Sequence, residues 1–295
     1  MHSPAQKVLI ADCGSTRCDW AVVSLPSQQA DFFATEGINP LMVSDADFDL
    51  WLKHFIDKHI AHRAHHIERV YFFGAGCIEG SVQRTVQSHL ARHFPTAQVR
   101  VGSDILATRF AVDPPGPAII GILGTGANAC YYDGQQVHMP IPSLGYLLGD
   151  EGSGADLGKA LLQRILRQTL PSELLQDFYN SYPQRPRQIL RELYSHPKPN
   201  RHLAQYAHFV YRHRAHPAVR PWLIERFQLY VEYHLTPIKT SYDVRDVYLT
   251  GGVAVLFMEE IEEVLNRAGF DLCGTCERPI EGLAQYVLRH RVLSW

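Results

Sequence analysis

Two short turns of glycine and hydroxyl residues stand 110 positions apart in this chain. The first lies in Asp12-Cys13-Gly14-Ser15-Thr16-Arg17 and the second in Gly124-Thr125-Gly126-Ala127-Asn128. Overlaid, Gly14 meets Gly124 and Ser15 meets Thr125. Such turns offer backbone N–H groups and small side chains to an anion, and a phosphate chain suits them. Neither is a Walker loop, because Gly-x-x-x-x-Gly-Lys-Ser/Thr is missing. Nor does Gly124-Thr125-Gly126 open a helix, as a dinucleotide fingerprint requires. Taken singly, each turn reads as a hairpin that needs glycine for its geometry. Taken together, with a third site at Gly251-Gly252, they read as a grip on one ligand from two sides. Asp12 precedes the first turn and could hold magnesium through water; the second turn has no acid beside it in sequence.

Asp104 follows a strand and starts a helix. A carboxylate there can take the proton of an attacking hydroxyl or simply cap the helix, and the residues alone favour the cap. His59, His62 and His66 share one helical face, but no carboxylate or cysteine completes a metal set. His202, His208, His213 and His216 read as a solvated face. Cys273-Gly274-Thr275-Cys276 is a single pair in a short loop, too little for zinc. Cys13 and Cys18 read as small buried strand residues. The run Tyr206, Phe209, Tyr211, Trp222, Phe227, Tyr230 and Tyr233 reads as helix core.

The elements that must hold these groups follow from hydrophobic period and breakers. Residues 7–13 and 18–24 read as a hairpin and 45–67 as a helix. Strand 69–73 runs into Gly74-Ala75-Gly76. Helix 79–93, strand 98–101 and helix 104–112 follow, with loops at the carboxyl ends of the strands. Asp113-Pro114-Pro115-Gly116-Pro117 is a linker. The hairpin then repeats at 118–133, turning at Asp133-Gly134. Residues 155–235 read as almost wholly helical, 246–250 as a strand, 253–268 as a helix, 270–273 as a strand and 282–291 as a closing helix.

A chain of 295 residues exceeds one ordinary core and fits two domains. With 46% hydrophobic and 20% charged residues it should be globular and soluble. Its net charge of −2 argues against a nucleic-acid binder, and no apolar stretch is long enough to span a membrane. The first residues run straight into a strand and are expected to be no signal peptide. Six scattered cysteines suit a reducing cytoplasm.

The two turns, together with Leu249-Thr250-Gly251-Gly252-Val253-Ala254, resemble the three nucleotide motifs of the actin-like ATPase superfamily, which includes sugar kinases and the heat-shock 70 ATPase. Leu144-Gly145-Tyr146-Leu147-Leu148-Gly149-Asp150-Glu151-Gly152-Ser153 is similar to the N-acetylglucosamine kinase branch, grouped with dehydratase-activator ATPases. The resemblance spans nearly the whole chain. It implies an α/β fold of two ribonuclease-H-like domains with ATP in the inter-domain cleft. These are residues 1–113, then 114–281 with a helical insertion, with 282–295 packing back on the first. It implies ATP and Mg²⁺, with Gly14, Ser15, Thr16 and Arg17 at the β- and γ-phosphates and Asp12 near magnesium. Gly124, Thr125 and Gly126 would be the opposing clamp, and Gly251 and Gly252 would pack against adenosine. Asp104 matches the catalytic base. Asn39 and Asp150 match positions holding sugar hydroxyls, with Gly76, Ser143 and Gly145 lining the same site; Glu151 reads rather as a cap for the next helix. Two positions depart from the pattern. Arg17 stands where a lysine is frequent, and Leu144 replaces a sugar-stacking tryptophan. The acceptor implied first is the 6-hydroxyl of N-acetylglucosamine, and a homodimer is implied by the resemblance alone.

Three alternatives stay open on the residues. An activator ATPase would need cluster cysteines, for which Cys130 alone lies near a turn. A non-catalytic sugar or nucleotide sensor would not need Asp12, Asp104 and Asp150. A kinase for another amino sugar differs only in pocket contacts.

Overall fold

A computed structural model describes residues 7–14, 16–40, 43–74, 76–77 and 80–295. The chain divides into two compact units. Unit 1 holds residues up to Asp113 together with Arg278–Trp295, and unit 2 holds Pro114–Glu277.

Unit 1 carries strands β1 (Lys7–Cys13), β2 (Arg17–Ser24), β3 (Gln29–Glu36), β4 (Arg69–Gly74) and β5 (Gln98–Ser103). They form one sheet in the order β3-β2-β1-β4-β5. β1 pairs antiparallel with β2 and parallel with β4, and β4 pairs parallel with β5. Its helices are α1 (Asp45–Phe55), α2 (Ser81–His93) and α3 (Asp104–Val112). Val8–Ala11 of β1 are apolar and buried because both faces of the strand are covered, as in the middle of an α/β sheet. Leu9 and Ala11 join the Trp20, Phe55 and Phe72 side, where Trp20 stacks on Phe55 at 3.8 Å between centroids. Val8 and Ile10 join Tyr71, Phe73, Phe110, Leu283 and Val287 on the other.

Unit 2 repeats the plan. Strands β6 (Ala118–Leu123), β7 (Ala127–Tyr132), β8 (Val137–His138), β9 (Asp246–Thr250) and β10 (Asp271–Cys276) form a sheet in the order β10-β9-β6-β7-β8. Read from the other edge, this is the strand order of unit 1. Between β8 and β9 lie α4 (Gly145–Leu148), α5 (Gly154–Leu166), α6 (Ser172–Ser181), α7 (Pro186–Ser195), α8 (Pro199–Ala204), α9 (Ala207–Arg212), α10 (Arg220–Tyr230) and α11 (Thr236–Tyr242). Then come α12 (Gly252–Leu256) and α13 (Met258–Arg267), and α14 (Pro279–His290) belongs to unit 1.

Several elements differ from the sequence expectation. The helix over 45–67 stops at Phe55. A π-helical turn at Ile56–Ile60 keeps Ile56 and Ile60 buried, and a separate 3-10 turn holds Ala64–His66. His59 and His66 therefore share no helical face. The helix over 253–268 breaks at Phe257, whose buried ring sits against Tyr211 and Phe227. β10 runs to Cys276 with a bulge between Leu272 and Gly274, so both cysteines of the pair lie on a strand and not in a loop. Tyr233 is half exposed, unlike the rest of its aromatic run. α14 begins earlier than read, with Pro279 in its first turn, where a missing N–H costs nothing.

Candidate active-site residues

Parallel register brings the acids of unit 1 to one sheet edge. Cys13 stands beside Gly74, and Gly74 beside Ser103. The carboxyl ends of β1, β4 and β5 therefore line up, and that is where open α/β sheets bind ligands. Asp12 arrives there from β1 and Asp104 from the first residue of α3. They are near enough to repel. Burial first, then the charges of Asp104 and Asp19, push the Asp12 carboxyl up to about 7. Burial likewise raises Asp104, although the Ile105 amide donates to its Oδ1 at 2.9 Å. Ser103 occupies the N-cap position of α3 without a side-chain bond, so Asp104 is not the N-cap residue.

The first turn is closed by the Gly14 amide donating to the Arg17 carbonyl at 2.9 Å. Thr16 Oγ1 is buried with no hydrogen-bond partner among the described residues, an orphan that a ligand oxygen could satisfy. Ser15 lies outside the described residues. Arg17 turns aside to Asp19, with two contacts at 2.9 Å and one at 2.8 Å. Gly37, whose role the sequence did not reveal, braces this turn. Its amide donates to the Thr16 carbonyl at 3.0 Å. A Cβ at Gly37 would stand 2.6 Å from the Thr16 carbonyl carbon, and nearer still to Gly14 O and Arg17 N. Asn39 follows two residues on, half-buried. Gly76 sits at φ 78 in the bend after β4, where the Cys77 amide donates to Gly74 O at 3.0 Å; Ala75 lies outside the described residues. Among the described residues no three His, Cys, Asp or Glu side chains gather as a metal cage. One raised carboxylate, Asp12, beside a turn with an orphaned Thr16 hydroxyl would instead fit a magnesium that takes its remaining ligands from phosphates and water.

Unit 2 gathers its residues more tightly. The Gly124 amide donates to Gly126 O at 2.9 Å. The amides of Gly154 and Ala155 reach back to Gly124 O at 2.8 Å and Thr125 O at 3.1 Å. Gly251, at φ 104, packs so closely that a Cβ would lie 3.1 Å from the Gly124 amide nitrogen. The second turn and the Gly251-Gly252 bend are thus neighbours. A Cβ on Gly124 or Gly252 would meet nothing within 4 Å, and neither backbone is left-handed. Among the described residues, no atom demands glycine at either position, so bare backbone there could admit the close approach of a ligand.

The second turn does have an acid beside it, contrary to the sequence expectation. Asp150, at φ 59 and 8% exposed, directs its carboxylate at Gly126, 2.8 Å from where a Cβ would stand. Burial pushes the Asp150 carboxyl up, against the opposing hydrogen bond from the Ala127 amide. Sequence distance hid this, since Asp150 lies 24 positions beyond Gly126. Nor does Glu151 cap a helix. Ser153 is the N-cap of α5, its side chain accepting from Asp156 N at 3.2 Å. Glu151 instead pairs with the buried His234 at 2.9 Å, and that ring stacks on Tyr230. Tyr230 in turn donates to Asn128 O at 3.2 Å. Gly145 opens α4 at φ 67 beside exposed Ser143 and Leu144. Cys130 is fully buried on β7. Among the described residues, no helix is long and apolar enough to cross a membrane.

No family model matches the chain, and no curated protein does. Solved structures do. A protein from Porphyromonas gingivalis, provisionally named an N-acetylglucosamine kinase, superposes with a TM-score of 0.90 at 31% identity, over 97% of this chain and 100% of that one. A second protein with the same provisional name, from Chromobacterium violaceum, gives 0.70 at 16% identity, over 97% and 100%. A ROK family glucokinase from Streptomyces griseus, solved with glucose and AMPPNP, shares the fold at 0.55 and 13% identity, over 95% and 97%.

Proposed function

The chain belongs to the N-acetylglucosamine kinase-like branch of the actin-like ATPase superfamily, and from that premise we propose that it transfers the γ-phosphoryl group of ATP to the 6-hydroxyl of N-acetylglucosamine. Asp12 and Asp104 carry this reading. They are two mutually repelling carboxylates held at the strand ends beside an anion-binding turn.

The roles divide by chemistry. Asp104 takes the proton of the attacking hydroxyl, and burial raises its affinity for that proton. The new O–P bond forms as the bond to the ADP oxygen breaks. The turn amides and the orphan Thr16 hydroxyl take phosphate oxygens, while Gly124 and Gly252 leave room for the nucleotide to meet bare backbone. Asp12 would hold magnesium through water, an ion that would supply positive charge to the phosphates. In unit 2, Asp150, oriented by the Ala127 amide, receives a sugar hydroxyl beside Ser143 and Gly145; in unit 1, Asn39 and Gly76 are the candidate sugar contacts. The exposed Leu144 offers no aromatic face, so sugar selection must come from polar contacts.

The test is ADP release with ATP, magnesium and a panel of sugars. N-acetylglucosamine should stimulate most. Equal stimulation by another amino sugar would move the acceptor, and no stimulation by any sugar would remove the kinase reading.

A further inference from the structure

Outside every residue assigned above, unit 2 holds a polar pocket of about 350 Å³. That is the size of a small-metabolite site. It opens between the end of α5, the residues after it, and α10. Gln163, Arg164, Arg167, Thr169, Glu225 and Arg226 line it. Three guanidiniums therefore face one carboxylate.

Two of these arginines, Arg164 and Arg226, are held in place, and Arg167 is exposed. Arg164 lies over the Trp222 ring at 4.6 Å and donates to the Ala160 carbonyl at 3.0 Å. Arg226 reaches Glu225 at 3.0 Å and Asp156 at 3.8 Å. Its Nε is buried with no hydrogen-bond partner among the described residues. Burial, followed by the like charge of Arg226, lowers the proton affinity of Arg164. Two cations fixed near one another in a partly dry pocket are a state that a dianion relieves. Guanidinium forks match the oxygens of a phosphate group better than any other common side chain does.

We propose that this pocket binds a phosphate group, free or as the monoester of a small metabolite, through Arg164, Arg167 and Arg226. Arg226 also neutralises Asp156, whose other oxygen accepts the Gly152 amide at 3.1 Å. The pocket is thus wired to the segment that carries Asp150.

The test is isothermal titration of the full chain with inorganic phosphate and, separately, with glucose 6-phosphate, at constant ionic strength. Saturable binding is expected. It should weaken at least about tenfold in Arg164→Gln/Arg167→Gln, which removes two charge-assisted contacts. The double variant leaves the glycine turns intact, so phosphate held there survives it. Tighter phosphate than ester marks a free-oxyanion site, and the reverse marks a metabolite site; either supports the proposal. If the double variant does not fold, Gln163→Glu puts a repelling charge on an exposed lining position and should weaken binding likewise. No saturation in the wild type, or binding unchanged by these substitutions, overturns the proposal whatever the kinase assay shows.

Discussion

Adding one methyl group at Gly37 should disable the first turn while leaving the fold standing. The new Cβ would start 2.6 Å from the Thr16 carbonyl carbon, and closer to Gly14 O and Arg17 N. Carbon atoms settle near 3.5 Å or beyond, so the turn and the 37–39 segment must separate by roughly 1 Å. Everything met is backbone, so no side chain can swing aside. A displacement of that size at a reacting phosphate costs about 10²-fold, or about 2.7 kcal/mol of barrier. Gly37→Ala should therefore lower kcat/KM for N-acetylglucosamine phosphorylation by about two orders of magnitude, with a stability loss of about 1–3 kcal/mol, as for other overpacking changes. Gly116→Ala is the control, since a Cβ there meets nothing within 4 Å and the site is a linker. Coupled ADP release and a denaturant melt on both variants suffice. Wild-type turnover in Gly37→Ala would show that Gly37 does not fix the turn, and equal loss in Gly116→Ala would show that the effect is not local.

Gly124→Ala should separate binding from stability: the free protein melts at or slightly above the wild-type temperature, because the unfolded chain is stiffer, while ATP affinity measured by titration falls; unchanged affinity would leave the bare backbone unexplained. Asp104→Asn should lower phosphoryl transfer about 10²–10⁴-fold with ATP binding kept, read by ADP release against nucleotide titration, and normal turnover would remove Asp104 as the base. Because the folded Asp12 pKa, about 7, lies above the 3.8 of a solvated aspartate, the folded chain binds the extra proton in between. Stability should therefore fall as pH rises from about 4 to about 7. Denaturant melts of Asp12→Asn should lack that fall, and an identical pH profile would place the titration elsewhere. His234→Ala should leave Glu151 without its partner and raise KM for the sugar more than it lowers kcat; steady-state kinetics decide, and equal parameters would make the pair merely structural.

Much of the scaffold was legible because its signals are local. β1 and β6 are short apolar runs that end in glycine and hydroxyl residues, and the repeat between them showed that one plan is used twice. The boundary at Asp113-Pro114 follows from proline chemistry. What could not be read depends on contacts far apart in sequence. Gly37 looks like any glycine until Thr16 is seen against it. Asp150 seems remote from the second turn until the chain folds back through Gly154. Glu151 suggests a cap until Ser153 takes that place and His234 claims the carboxylate. The break at Phe257 arises because a buried ring outweighs helical period.

The return of the last eighteen residues to unit 1 bears on how the protein is made. Unit 2 is an uninterrupted stretch and can complete its core as soon as Glu277 has emerged. Unit 1 cannot. Val8, Ile10, Tyr71, Phe73 and Phe110 wait for Leu283, Val287 and Leu293, so one face of its sheet is covered only in part, by α3, while the whole of unit 2 is synthesised. Translation usually favours the N-terminal domain; here the order of completion is reversed. The nascent chain carries a half-covered apolar sheet face for more than half its synthesis.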